Sequence, residues 1–210
     1  MKILILIFGA ILSYLLGSVP SAVWIGKWFY GIDVREQGSG NAGATNTIRV
    51  LGLKAGLPVL LIDAFKAWLA VALAGWMSGS ILNPNDLILY RIAIGALAVL
   101  GHVFPILAGF RGGKGVASLV GVVIALFPEA FFLILIWFAI VFGITRYVSL
   151  ASVTSALIFP LIVIFIFKEQ SAPLIVLSIL VAVFIPVTHR RNIGRLIHGN
   201  ENKLEFKKKT

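Results

Sequence analysis

Apolar residues in this chain come in long runs: Ile3–Ile25, Leu57–Met77, Leu87–Leu107, Val116–Phe127, Ala130–Ile144, Ala151–Phe167 and Pro173–Val187. Crossing a bilayer takes roughly 20 mainly apolar residues in a helix, because lipid offers the backbone no hydrogen-bond partners. A soluble core needs no such runs. The chain is 60% hydrophobic and only 12% charged over 210 residues, against about 25% charged in a soluble domain. Too little charge remains to coat a surface facing water. The expectation is an all-α integral membrane protein with seven transmembrane helices, organised as a single polytopic domain over residues 1–210. The fourth run is short, so it is a half-span or a helix shielded from lipid by its neighbours, and Pro128 turns the chain after it. Met1 to Ala22 has the look of a signal peptide. The run continues through Gly17-Ser18-Val19-Pro20 into Val23-Trp24-Ile25, which makes it a first span instead.

The formal charge is +10. A basic balance points to nucleic acid or to a membrane surface. Here the cations lie between or after the apolar runs, as the positive-inside rule requires, so no nucleic-acid partner is expected. With the N-terminus outside and the C-terminus cytoplasmic, the inner segments hold Lys27, Arg35, Arg49, Lys54, Arg111, Lys114, Arg146, Arg190, Arg191, Arg195 and a basic tail at 203–210. The outer edges hold only Lys2, Arg91 and Lys168. The inner connections are also the ones rich in Gly, Asn, Ser and Arg, so function is expected on that face. Asp63 and Lys66 sit i, i+3 within the second span. Ionisable groups at that depth are costly and pair, and a structural and a functional role both stay open for them.

Four inner segments carry chemistry. In the first loop, Gly38, Gly40 and Gly43 let backbone N–H groups converge on an anion. Ser39, Asn41, Thr45 and Asn46 add short polar groups, and Arg49 adds a planar fork suited to phosphate. In the second, Gly101-His102-Val103-Phe104-Pro105 precedes Arg111-Gly112-Gly113-Lys114-Gly115, which opens the short fourth helix with backbone donors and two cations. The spacing is not that of a P-loop. In the third, Arg146, Ser149 and Ser152 repeat every three residues and share a helical stripe. In the fourth, His189, Asn192 and Arg195 share a similar stripe, followed by Glu201. Cysteine is absent, which excludes disulfides and thiolate chemistry. The histidines are scattered and match no zinc motif, so no metal and no cofactor are expected. A phosphate or organic-anion transporter is the alternative class, but it calls for an internal repeat and a site at the midplane, and neither is visible.

Three of these segments, Gly38-Ser39-Gly40-Asn41-Ala42-Gly43-Ala44-Thr45-Asn46, Gly101 to Pro105 with Gly112 to Gly115, and His189 to Leu196, are together highly specific. With them, from Gly17 to Glu201, the chain resembles the bacterial acyl-phosphate:glycerol-3-phosphate acyltransferases, the PlsY family. The resemblance implies seven spans with the N-terminus outside in the bacterial cytoplasmic membrane. It implies transfer of a fatty acyl group from acyl phosphate, not acyl-CoA or acyl carrier protein, to the 1-hydroxyl of glycerol 3-phosphate, giving lysophosphatidic acid and phosphate as a first step of phospholipid synthesis. It also implies a functional link to the enzyme that makes acyl phosphate. The expected catalytic set is Ser39, Asn41, Lys114, His189 and Asn192. The expected substrate- and phosphate-binding set is Gly38, Gly40, Thr45, Asn46, Arg49, His102, Gly112, Gly113, Gly115, Arg146, Ser149, Ser152, Arg195 and Glu201, with Ser149 or Ser152 filling the family's serine role in the third segment. The attacking hydroxyl must lose a proton, and His189, His102 or a substrate phosphate oxygen is the candidate acceptor.

Overall fold

In the computed structural model, residues 1–205 are described and are mainly helical, with no strand among them. Lys207, Lys208 and Lys209 of the expected basic tail lie outside the described residues. Contacts divide the chain into two compact units, Met1–Leu126 and Phe127–Thr210.

The first unit begins with α1 (Lys2–Ser18) and α2 (Ser21–Tyr30). The run read as one straight span is broken. Pro20 has no N–H and disfavours helix at the residue before it, so Val19 is extended (φ −58°, ψ 112°) and α2 restarts at 42° to α1. Along α1 the faces are inverted relative to a soluble helix. Leu4, Phe8, Ile11 and Leu15 are exposed, while Gly9, Ser13, Gly17 and Ser18 are buried. Without a hydrophobic drive between helices in lipid, small residues and hydrogen bonds hold them together, and the Ser13 hydroxyl donates to the Ile94 carbonyl at 2.7 Å. After α3 (Ala44–Leu51) come α4 (Leu53–Ser78) and α5 (Pro84–Val103), both of span length.

Helix α6 (Val116–Leu126) is the short fourth run. Its 11 residues reach about 16 Å, roughly half a hydrocarbon core. It is buried as expected, with Ala117, Ser118, Leu119, Val122 and Val123 all covered. It lies tightly on α4, because a side chain at Gly121 would collide with the Ala64 carbonyl. Arg91 of α5 donates from Nη2 to the carbonyl of Ala125 at 3.0 Å. A basic residue counted against the positive-inside pattern thus serves the open C-terminal end of a short helix.

In the second unit, α7 (Pro128–Thr145) exposes Phe132, Ile136, Ile140 and Ile144 at four-residue spacing, a lipid-facing stripe. It stops at Arg146, in the left-handed conformation (φ 62°). Helix α8 (Val148–Leu161) contains Pro160 and relaxes into a π turn over Ile162–Ile166, the usual response to a missing N–H. Helix α9 (Ala172–Thr188) is the last apolar helix. The chain then bends by 64° into α10 (Arg190–Ile197). Helix α10 is polar on one face, with Asn192 and Arg195, and apolar on the other, with Ile193 and Ile197. Such a two-faced helix suits a membrane interface better than the apolar interior.

By length and composition the described chain holds four membrane-crossing helices, or six if each bent pair counts as one, with α6 as a further short apolar helix.

Candidate active site

In the first unit, the glycine-rich segment is organised by Asn46. Residues from Ala44 onward are helical, so Thr45, Asn46 and Arg49, expected in an open loop, stand on α3. Asn46 is 2% exposed. Its carboxamide nitrogen donates to the Val34 carbonyl at 2.7 Å and the Gln37 carbonyl at 3.1 Å. Its oxygen accepts the Ser39 N–H at 2.8 Å. Gly38 turns over this side chain at φ +61°, where a Cβ would collide with Asn46 Oδ1; left-handed backbone and lack of room both demand glycine. Asn46 therefore builds the loop that exposes Ser39 and Gly40. Arg49 lies in the last turn of α3.

A second brace joins this loop to the next. Asp33 accepts from Arg35 Nη2 at 2.7 Å and pairs with Lys27 at 3.2 Å. Arg35 Nη1 donates to the Ala108 carbonyl at 2.8 Å. The Arg35 side chain, its backbone N–H and Lys27 hold the Asp33 carboxyl well below the usual carboxylate range, against the opposing effect of burial.

The second glycine segment rests on the end of α5. The Gly113 N–H donates to the His102 carbonyl at 3.1 Å. A side chain at Gly113 would collide with His102 Nε2, and one at Gly112 with the His102 carbonyl. Under it lies a buried polar cluster. Asp63 Oδ1 accepts from Ser21 at 2.7 Å, pairs with Lys66 at 2.8 Å and lies 3.4 Å from His102 Nδ1. Asp63 and Lys66 do pair, as their spacing predicted. Their link to Ser21 and His102 was not legible, since it joins three helices distant in sequence. Lys114 follows at the mouth of this segment, half-buried and with interactions of its own.

In the second unit, Glu201 gathers the polar residues. Its Oε1 accepts from Asn192 Nδ2 at 2.6 Å and from Ser149 Oγ at 2.8 Å, and its Oε2 accepts from Arg195 Nε at 2.7 Å. Burial opposes the charge of Glu201, but these hydrogen bonds and the Arg195 cation outweigh it and lower the carboxyl below its ordinary range. Glu201 thus accepts from three side chains at once. Ser149 belongs to this cluster. Ser152 is buried one turn further on with no hydrogen-bond partner among the described residues, so the two serines differ in their surroundings. Arg146 corrects the expected stripe, since it lies before α8 begins, in the turn that ends α7. Its carbonyl accepts the Leu204 N–H at 2.9 Å. His189 lies at the α9–α10 bend, buried, with Nδ1 2.9 Å from the Ile185 carbonyl. That contact requires a proton on Nδ1 and leaves Nε2 of a neutral ring as the basic nitrogen.

These clusters have relatives. The sequence model of glycerol-3-phosphate acyltransferase matches residues 7–199. The chain belongs to the glycerol-3-phosphate acyltransferase family. A glycerol-3-phosphate acyltransferase of Fusobacterium nucleatum is 43% identical over 196 residues, covering 93% of this chain and 96% of the relative. That of Enterococcus faecalis is 43% identical over 213 residues, covering 98% and 94%. Among solved structures, the crystal structure of PlsY, an integral membrane glycerol 3-phosphate acyltransferase, in its glycerol 3-phosphate form has a TM-score of 0.85 at 35% identity, covering 95% of this chain and 96% of that one. The lysophosphatidic acid form has a TM-score of 0.81 at 33% identity, covering 96% of each. At that identity and coverage the chain shares the acyltransferase fold, and it is an integral membrane protein.

Proposed function

We propose that this acyltransferase moves a fatty acyl group from acyl phosphate to the 1-hydroxyl of glycerol 3-phosphate in a bacterial cytoplasmic membrane. The observation that carries the reading is the likeness, over 95% of the chain, to PlsY in a glycerol 3-phosphate form. The donor is a mixed anhydride and needs no further activation, so the protein has mainly to neutralise phosphate charge and align the partners. Arg49 and Lys114 supply charge, and the backbone N–H groups around Gly38 to Gly40 and Gly112 to Gly115 supply dipoles. Ser39, Asn41 and Thr45 are short polar groups beside the first of these segments. Asn192, Arg195 and Ser149, held by Glu201, act in the second unit. The hydroxyl oxygen bonds to the acyl carbon, the carbon–oxygen bond to phosphate breaks, and the hydroxyl proton passes to a phosphate oxygen or to Nε2 of His189. The donor is then supplied by an enzyme that makes acyl phosphate.

Purified protein given glycerol 3-phosphate and palmitoyl phosphate is expected to release phosphate and form 1-acyl-glycerol 3-phosphate, whereas palmitoyl-CoA is not expected to serve. Comparable rates with both donors would assign the protein to another acyltransferase class. A charge-assisted hydrogen bond contributes about 1.5–3 kcal/mol, so Arg49→Ala and Lys114→Ala should each lower kcat/KM about 10- to 150-fold, and Lys207→Ala should not. Near-normal turnover in both would remove these residues from the site.

A further inference from the structure

We propose that Asp63 and Lys66 are positioning residues for acyl transfer, acting through His102 on the Gly112-Gly113-Lys114 segment. The inference rests on the acyl-transfer reading and extends it to a pair buried inside a span. Asp63, Lys66 and His102 are 1%, 5% and 5% exposed. An ion pair at such depth costs several kcal/mol of desolvation per ion, and well-packed apolar residues of the same volume hold helices together as well or better. Stability alone is a poor reason for the pair to be there.

Its geometry supplies another reason. Lys66 Nζ donates to the Val19 carbonyl at 2.8 Å, at the point where Pro20 breaks the first span. The same ammonium lies 3.3 Å from His102 Nδ1, and Asp63 Oδ1 lies 3.4 Å from that nitrogen. Ser21, just past the break, holds Asp63 Oδ1 at 2.7 Å. One face of the imidazole edge is therefore anchored to the pair. The opposite nitrogen, Nε2, lies against Gly113, so closely that no side chain fits between them. The ring acts as a spacer, and its orientation sets where the backbone of residues 112–115, and with it Lys114, comes to rest. In the pair, Asp63 Oδ2 has no hydrogen-bond partner among the described residues. The carboxylate is therefore committed through Oδ1 alone, the oxygen that faces Ser21, Lys66 and His102.

The test is a double-mutant cycle on kcat/KM with palmitoyl phosphate and glycerol 3-phosphate. Removing one charge leaves the other buried and unpaired, so the pair is neutralised jointly in Asp63→Asn with Lys66→Met, a change that buried pairs often tolerate. This variant should keep the wild-type elution profile in detergent and lose about tenfold in kcat/KM. His102→Ala should lose at least as much, and the triple variant no more than His102→Ala alone. A purely structural pair would not need His102, and its loss would multiply with that of His102→Ala, which would overturn the inference. Ser21→Ala, which removes a single hydrogen bond to Asp63, is measured in parallel and decides if the neutral pair does not fold. Its loss should be a few-fold, and it should vanish in the His102→Ala background; persistence there would likewise overturn the inference. An inactive wild type with palmitoyl phosphate would instead sink the acyl-transfer reading.

Discussion

Asn46 and Glu201 show how polar residues in one motif divide into those that meet solvent and those that build the site. Asn46 uses both its amide hydrogens and its oxygen on the backbone of residues 34–39. Glu201 spends both oxygens on Ser149, Asn192 and Arg195. The sequence marks all of them as unusual for a membrane chain, but not which way each side chain points. Glu201 also sets an acid limit. Its carboxyl is held below its ordinary range, so the unfolded chain takes up this proton more readily than the folded one. The stabilisation is then intact above the ordinary carboxylate range, about pH 4, and is lost as the pH falls through the lowered value. Glu201→Gln should therefore unfold at a lower temperature than wild type near pH 7, on the order of a few degrees. The gap should narrow as the pH falls below the ordinary carboxylate range. A gap that stays constant with pH, measured by thermal unfolding in detergent, would remove Glu201 from this role.

At the scale of elements, the runs of apolar residues are legible because lipid demands them, while their breaks depend on single residues. Pro20 splits the first span, Pro160 precedes the π turn, and the α9–α10 bend falls where the apolar run meets His189-Arg190-Arg191. The spacing puts Arg146 on one stripe with Ser149 and Ser152, but spacing alone cannot tell that Arg146 is itself left-handed and ends α7. The short α6 is the element most dependent on its neighbours. Arg91→Met takes away the donor at its C-terminal end and should lower the melting temperature by about 2–4 °C for each kcal/mol lost. Arg91→Lys, which keeps the charge near the helix end, should lose less. Equal melting temperatures for wild type and Arg91→Met would show that Arg91 does not hold this helix.

At the scale of the whole molecule, the proposed orientation rests on charge. A reporter fused after Thr210 should read cytoplasmic, and one inserted near Asn83–Asn85 should read external, because the basic connections stay inside. The reverse at either site would sink the seven-span arrangement. Composition and periodicity by themselves determined that this chain is helical and lives in a membrane, since no other backbone arrangement of such runs satisfies its own hydrogen bonds in lipid. The glycine, asparagine and arginine segments determined the family. Only the tertiary structure decided that Ser21, Asp63, Lys66 and His102 meet, that Ser149 and not Ser152 reaches Glu201, and that Asn46 faces inward. Each of these depends on groups brought together from separate segments of the chain, and the direction a side chain takes there is set by packing, which no local pattern encodes.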